Sequence, residues 1–241
     1  MTGYDDRPAM AAEPALSAMA KPLLRVAAPL RQELINQIRA SILTFEYEPG
    51  TRLVERLLCD RYSVSRTVVR EALRHLEAEG LVTIVPNRGP IVTKLSTADA
   101  AALFEVRGEL EALAAKLFAL RATAAERKRL EQAVSEVANA FARGDLQESL
   151  AAKDFFYEAL CTGAHNEVMT GILLQLHARV QLLRGLSLRS KGRQPQTLKE
   201  VRRIARCAIA GDADGAAEAA RFHVEQAALV ALAELARQNE A

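Results

Sequence analysis

The stretch Ser63–Val92, SVSRTVVREALRHLEAEGLVTIVPNRGPIV, decides how the first part of this 241-residue chain is interpreted. It begins with apolar residues at helical spacing and continues with β-branched residues on both sides of a turn. The helical part also carries Arg66, Arg70 and Arg74 at four-residue intervals, opposite the apolar stripe. The cationic side chains of such a helix either bind an anionic partner or remain solvated, and the sequence must be examined for which of the two applies.

The boundaries of this helix and its neighbours are marked in the sequence. Ser65 is well placed as the N-cap, and Gly80 as the residue that ends the helix. Two earlier helices are predicted, one in the periodic segment from Leu30 and a short one in VERLLCDRY. Together with the hairpin expected around Pro-Asn-Arg-Gly, they predict a winged helix-turn-helix domain over residues 29–95. Its predicted core comprises Leu34, Ile38, Leu57, Val69, Leu73, Leu76, Val82 and Ile84.

The remainder of the chain, 96–241, is helical in every segment and has no strand pattern. Capping boxes, as at Thr123–Glu126, and short polar loops divide it into six helices, one of which is expected to start at Thr197. Six helices joined by short loops predict an antiparallel bundle, so the fold class is mainly α. Residues 1–28 are rich in Ala and Pro without sustained periodicity, and we expect them to form a mobile N-terminal arm.

Composition limits the class of protein. Half of the residues are hydrophobic and the net charge is only +2, which indicates a globular protein whose basic surfaces must be local. The three cysteines lie far apart without a CxxC pair, as is usual in a reducing cytoplasm. The N-terminus lacks the pattern of a signal peptide, and no apolar run is long enough to span a bilayer. The expected location is the cytoplasm.

The helix that follows Ser65 has the features of a DNA-contacting element. Its free N–H groups and its dipole favour an anion such as a phosphate at the N-terminus. Arg66, Thr67 and Arg70 lie on its first turn and a half. An arginine there can bond to guanine O6 and N7 in the major groove, and a threonine can donate to a phosphate. These side chains therefore predict contact with double-stranded DNA.

The charge balance of this region supports the prediction but leaves one alternative open. Between Arg61 and Arg74 there are four arginines and one acid, Glu71, and Arg88 adds a cation at the tip of the hairpin. The alternative is a solvated helix face whose arginines pair with Glu71 or Glu77. The position of the segment between a helix-turn and a hairpin favours DNA binding.

The segment PGTRLVERLLCDRYSVSRTVVREALRHLEAEGLVTIVPNRGPIV resembles the DNA-binding domain of the GntR family of bacterial transcription regulators. The matches are the Pro-Gly-x-x-Leu turn, the Val-Ser-Arg-Thr-x-Val-Arg-Glu-Ala-Leu helix, Leu-Glu-x-Glu-Gly-Leu and the Asn-Arg-Gly wing. The helical remainder is similar to the FCD effector domain of the FadR subfamily, a bundle that binds a small molecule and dimerises. The resemblance implies DNA contacts by Arg56, Ser65, Arg66, Thr67, Arg70, Arg88 and Gly89.

From this resemblance we expect a ligand-responsive homodimer that acts on transcription. The expected mode of action is that of a repressor, which a small organic acid releases from a palindromic operator. Two recognition helices of a dimer would enter successive major grooves, which is the reason for the palindrome.

Many FCD domains hold a divalent metal with one Asp and three His. The resemblance places Lys153 at the Asp position, and Tyr157 and Val201 at two of the His positions, so that only His223 is retained. A protonated lysine and a valine offer a metal no lone pair. A register shift by one residue would make Asp154 the acid but would not repair the other two positions. No cofactor is therefore expected.

Without a metal, another cation must attract an acidic ligand. We expect Lys153 to supply it and predict a metal-free effector pocket lined by Arg107, Lys153, Tyr157 and His223. Structural roles remain open for each: Arg107 can pair with Glu111 at i+4, Lys153 can lie on a solvated face, and His223 can satisfy a core hydrogen bond.

An enzyme is the competing class of protein. The sequence contains no HExxH, Gly-rich phosphate loop or GxSxG motif, although a triad assembled by the fold is invisible at this level. A helical scaffold whose first domain binds another protein is a second alternative, and the salt dependence of binding distinguishes it from a DNA binder. We expect the chain not to be an enzyme.

Overall fold

A computed structural model describes the backbone of residues 27–240 and the side chains of residues 29–237. Most of the predicted N-terminal arm, residues 1–28, lies outside the described residues. Within them, helices and one hairpin follow in the order α1 (Ala27–Leu43), α2 (Glu55–Tyr62), α3 (Arg66–Ala78), β1 (Val82–Val85), β2 (Gly89–Val92), α4 (Thr97–Arg121), α5 (Ala124–Arg143), α6 (Leu146–Ala164), α7 (Glu167–Arg189), α8 (Arg193–Ala210) and α9 (Ala213–Glu240). The predicted fold class is confirmed.

Local chemistry explains the ends of α3 and the hairpin that follows it. The Ser65 hydroxyl accepts a hydrogen bond from the Val68 N–H at 3.4 Å, and Gly80 lies just beyond the helix with φ +78°. In the hairpin turn, the Arg88 N–H donates to the Val85 carbonyl at 3.1 Å and Asn87 has φ +61°. Asparagine tolerates this left-handed conformation, so the turn closes without a glycine at that position.

The first domain closes around apolar residues of α1, α2, α3 and the hairpin. Two predicted core positions are wrong, since Leu57 is 55% and Ile84 is 50% exposed. On α2 it is the next residue, Leu58, that faces inward. Ile84 lies on the same side of β1 as the buried Val82 but two residues nearer the tip, beyond the reach of the core.

The helices α4 to α9 form the predicted bundle, with α4 packed along α9. The capping box at Thr123 and Glu126 is present, and Asp212 caps α9 by accepting from the Gly215 N–H at 2.9 Å. The start of α8 was predicted too late. It begins at Arg193 rather than Thr197, because Gly192 supplies a left-handed turn and Pro195 falls in the first turn, where proline is tolerated.

One hydrophobic cluster crosses from the first domain into the bundle. It contains core residues of α1 and α3 together with Leu150 of α6 and Ala178, Leu182 and Leu188 of α7. From Val180 to Leu188 every residue of α7 is buried. This half of α7 therefore lies between the winged helix-turn-helix domain and the rest of the bundle.

Candidate functional site

The N-terminal part of α3 presents an exposed cationic surface. Ser65, Arg66, Thr67 and Arg70 are all exposed, while the apolar residues of α3 are buried against α1 and α2. Arg66 forms no ion pair with a carboxylate among the residues that the structure describes, and neither do Arg74 and Arg88. The guanidinium groups of Arg66 and Arg74 on α3, and of Arg88 in the hairpin turn, are therefore available to an external anion.

Two of the predicted DNA contacts are ion-paired at the surface. The Nε atom of Arg70 lies 2.9 Å from both carboxylate oxygens of Glu55 on α2, and Arg56 Nη1 lies 3.9 Å from Asp60 Oδ2. Pairs this exposed stabilise a fold little, so a phosphate or base can take the place of the carboxylate. Sequence reasoning missed Glu55 as the partner of Arg70, because the two residues are 15 positions apart.

Neither Glu71 nor Glu77, the two acids considered from the sequence, pairs with Arg66, Arg70 or Arg88 within the described residues. Glu71 pairs with Arg31 of α1 at 3.3 Å, on the side of α3 that faces the first helix. Glu77 is exposed and forms no ion pair among the residues that the structure describes. At the hairpin tip, Arg88 is exposed and Gly89 has φ +81°, with open space around its Cα. Within the described residues, Arg70 thus pairs with Glu55 rather than with Glu71 or Glu77, and Arg66 and Arg88 face solvent without an ion pair.

The bundle contains a buried polar network in two halves. In the first half, Arg107 Nε donates to Glu111 Oε1 at 2.7 Å. Arg184 of α7 reaches the same oxygen at 3.3 Å and Asp154 Oδ1 at 2.8 Å. Gln181 also donates to the Asp154 carboxylate. The arginines and carboxylates of this half compensate one another's charge inside the bundle.

The second half of the network runs from Lys153 to the start of α8. Lys153 Nζ lies 3.0 Å from His223 Nε2, and His223 Nδ1 lies 2.6 Å from Glu200 Oε2. Arg193 holds both oxygens of Glu200 at 2.6 and 2.7 Å. The Tyr157 ring connects the halves, with Lys153 Nζ 4.9 Å and Arg184 Cζ 4.2 Å from its centroid.

Burial sets the protonation of this network. It lowers the pKa of Lys153 well below its ordinary value, with the nearby Arg184 guanidinium acting in the same direction. Burial likewise lowers the pKa of His223, again assisted by neighbouring cations. A neutral His223 fits the geometry, since Nδ1–H then donates to Glu200 and Nε2 accepts from the Lys153 amine.

The carboxylates of the network respond in different ways. Burial alone would raise the pKa of Glu111, but the guanidiniums of Arg107 and Arg184 outweigh it, and the pKa is lowered. Burial raises the pKa of Asp154 despite its contact with Arg184. Of Glu111 and Asp154, it is therefore Asp154 whose charged form is disfavoured by its surroundings.

A cavity of about 740 Å³ opens beside the first half of the network, between α6 and α7. Its wall includes Glu111, Asp154, Tyr157, Cys161, His177 and Arg184. Arg184 Nε and the Tyr157 hydroxyl are buried and form no hydrogen bond to the part of the chain that the structure describes. The wall of the cavity thus contains two residues with an unsatisfied buried donor, which a ligand could reach only if these side chains shift.

Of the predicted effector residues, only Tyr157 lines this cavity. Arg107, Lys153 and His223 lie behind its wall, each bonded to another member of the network. Sequence reasoning missed Arg184 and His177. An arginine inside the apolar run VQLLRGLSL was the available signal for Arg184, whereas nothing in the sequence pointed to His177.

The residues at the four family metal positions do not fit a metal ion. Both ring nitrogens of His223 are engaged, one by Lys153 and one by Glu200. Val201 is buried and offers no donor atom. Among the side chains of residues 29–237, no group of three or more His, Cys, Asp or Glu is arranged to hold a metal ion. No helix within the same residues is both long and apolar enough to cross a membrane.

Comparison with protein-family profiles gives two matches. The profile described as "Bacterial regulatory proteins, gntR family" matches residues 30–92, and the profile described as "FCD domain" matches residues 102–226. The first match contains α2, α3 and the hairpin, and the second contains the buried network and the cavity.

Similar proteins are transcription regulators. The chain is 29% identical over 177 residues to the HTH-type transcriptional regulator YdhC of Bacillus subtilis, covering 73% of this chain and 79% of YdhC. It is 30% identical over 159 residues to the HTH-type transcriptional repressor RspR of Escherichia coli, covering 66% of this chain and 70% of RspR. A solved structure of a GntR transcriptional regulator from Rhodococcus sp. RHA1 has a TM-score of 0.71 at 23% identity, over 84% of this chain and 97% of that one.

Proposed function

Since the chain belongs to the GntR family of bacterial regulatory proteins and carries an FCD domain, we propose that it is a homodimeric repressor that leaves its operator when a small organic acid binds. As a family member it is a DNA-binding transcription regulator and not an enzyme. The subfamily we assign is that of FadR, and the location is the cytoplasm. The observation that carries the effector side is the 740 Å³ cavity with unpartnered donors in its wall.

On the DNA side, we assign the major-groove contacts to Arg66, Thr67 and Arg70. Their exposure and the absence of a carboxylate partner for Arg66 within the described chain support this. Ser65 and Arg56 flank this surface, and Arg88 with Gly89 forms the tip of the wing, which fits the adjacent minor groove. Binding through phosphates should weaken steeply as the salt concentration rises.

A second copy of the chain is the proposed partner of an exposed apolar stripe on α4. Val106, Leu113 and Leu120 are exposed, and Leu110 and Leu117 lie half-buried between them. These five residues alternate steps of four and three positions, as in the seam of a coiled coil. Such a stripe on a regulator is best explained by a self-complementary contact with α4 of another copy.

Leu113→Glu is expected to convert the dimer into monomers, because a carboxylate in the middle of the stripe would be buried without a partner. Size-exclusion chromatography with light scattering measures the mass. Leu229→Glu is the control, since this leucine is also exposed but lies on α9. A Leu113→Glu protein of unchanged mass would show that the stripe is not the dimer contact.

The acid is proposed to bind against Arg184 and Tyr157. Within the network, three arginines face three carboxylates, so a carboxylate ligand adds an uncompensated negative charge. The carboxylates are Glu111, Asp154 and Glu200, and the arginines are Arg107, Arg184 and Arg193. Lys153, held towards its neutral form by burial, can restore the balance by taking up a proton.

Effector binding is therefore expected to be coupled to proton uptake. A carboxylate in the cavity raises the pKa of Lys153, so affinity is highest at low pH and falls as pH rises through that raised pKa. Titration calorimetry in two buffers of different ionisation enthalpy measures the protons taken up, with about one per site expected. Lys153→Met should abolish the uptake, whereas uptake that persists in Lys153→Met would assign it to another group.

The proposal as a whole is tested with purified protein and DNA from the promoter regions next to its gene. Fluorescence anisotropy should find a specific site, and a thermal-shift screen of aliphatic and aromatic acids should find the effector. The acid that stabilises the protein should lower operator affinity. An acid that raises operator affinity would contradict release of a repressor.

A further inference from the structure

Two faces of the helix α7 contact different parts of the protein. Its cavity face carries residues that line the 740 Å³ cavity, among them Leu173, His177 and Arg184. Its other face, here called the seam face, consists of Ala178, Leu182, Gly185 and Arg189, at steps of four, three and four residues. Because both faces belong to one continuous helix, a displacement at one is a displacement at the other.

The seam face packs closely against the winged helix-turn-helix domain. A Cβ atom at Gly185 would lie 2.9 Å from Phe45 Cε2 and 3.1 Å from the Leu43 carbonyl oxygen, too close for an alanine. The guanidinium of Arg189 lies 4.6 Å from the centroid of the same Phe45 ring. Ala178 and Leu182 join the hydrophobic cluster of the first domain.

Phe45 is held in an unfavourable backbone conformation at this contact. Its φ is +63°, in the left-handed region that bulky residues rarely adopt. Such strain persists only where the surroundings hold it in place, and it is concentrated at functional contacts. Here the ring lies between Gly185 and Arg189.

A second contact joins α7 to the end of the DNA-contacting helix. Gly80, the residue that ends α3, has φ +78°, and a Cβ atom there would lie 2.6 Å from Arg179 Nε. The α7 side chain therefore covers the C-terminal end of α3. Arg179 is exposed and its side chain is flexible, so this contact can adjust, and the close-packed contact of α7 with the first domain is the one between Gly185 and Phe45.

We propose that α7 couples the effector cavity to the DNA-binding domain, and that the Phe45–Gly185 contact sets the placement of that domain on the bundle. The proposal rests on the proposed function, because it assumes that the cavity is the regulatory site. A molecule in the cavity displaces the cavity face of α7, and the seam face carries the displacement to the loop after α1 and to the hydrophobic cluster of the first domain.

The seam is tested in protein without added ligand by comparing Gly185→Ala with Gly108→Ala. Gly108 is the matched control, since its Cβ would meet Val224 at an ordinary 3.7 Å, away from the seam and the cavity. Operator affinity should fall at least about tenfold in Gly185→Ala and change less than about twofold in Gly108→Ala. Circular dichroism verifies that both variants fold. Equal affinities in the two folded variants would overturn the role of the seam.

Coupling through α7 is tested by a double-mutant cycle on operator affinity. Thr170→Trp places bulk in the cavity, and Phe45→Ala removes the ring at the seam. The two effects should deviate from additivity by at least about threefold if α7 connects the sites, and additive effects would overturn the proposal. Thr170→Leu repeats the cycle with a smaller side chain if the tryptophan variant unfolds. Failure of the wild-type protein to bind any operator would instead refute the proposed function.

Discussion

Replacing Arg70 with alanine is expected to weaken operator binding by roughly 5- to 150-fold, the loss that one bidentate arginine–guanine contact gives. Arg70 is 61% exposed on the second turn of α3, beside Arg66 and Thr67. Because it takes no part in the core, the variant should keep the thermal stability and the ligand affinity of the wild type. Fluorescence anisotropy with an operator duplex measures the effect. Normal operator affinity in this variant would refute the assignment of α3 as the recognition helix.

Two companion variants sharpen the interpretation of Arg70. Arg74→Ala removes an equally charged, exposed side chain one turn further along α3, and its expected loss is less than about threefold. Glu55→Ala removes the carboxylate that holds Arg70 at 2.9 Å. Since that carboxylate competes with DNA for the guanidinium, operator affinity should stay equal or increase. A loss in Glu55→Ala would mean that Glu55 positions Arg70 for binding.

Replacing Glu111 with alanine is expected to lower the free energy of unfolding by about 3–5 kcal/mol, the cost of breaking a buried ion pair from one side. Glu111 accepts from Arg107 at 2.7 Å and from Arg184 at 3.3 Å, and all three side chains are buried. Without it, the Arg107 guanidinium is left inside the bundle with no carboxylate bonded to it. Urea denaturation followed by circular dichroism measures the change.

The matched control for Glu111 lies two residues earlier on the same helix. Glu109 pairs with Arg221 at 3.0 Å at the surface, and Glu109→Ala should leave the urea midpoint almost unchanged. If both variants lose stability equally, the position of Glu111 inside the network is not the cause. If neither does, water entering from the cavity must solvate Arg107 in its place.

The winged helix-turn-helix was accessible from the sequence because its determinants are local. The Ser65 cap, the Gly80 end and the Pro-Asn-Arg-Gly turn each act within about four residues, which is the range of hydrogen bonds in caps and turns. Leu57 and Ile84 were wrongly predicted to belong to the core, because the sequence does not show how far the core extends. Periodicity indicates which face of an element is apolar but not whether another element reaches it.

Only part of the proposed effector site could be predicted from the sequence. The resemblance brought Lys153, Tyr157 and His223 to notice, and the structure does place them together in the bundle. The cavity itself is formed largely by other residues, including Arg184, which lies 73 positions from its partner Glu111. Motifs and residue spacing do not predict contacts between residues this far apart in the sequence.

The sequence by itself determined the order of the elements, their caps and the cationic end of α3, because these depend on neighbours in the chain. Only the tertiary structure decided which charges are compensated. Glu55 reaches Arg70, Lys153 bonds to His223 rather than facing solvent, and α7 packs between the cavity and the first domain. The physical reason is that ion pairing and close packing depend on distance in space, which chain separation does not specify.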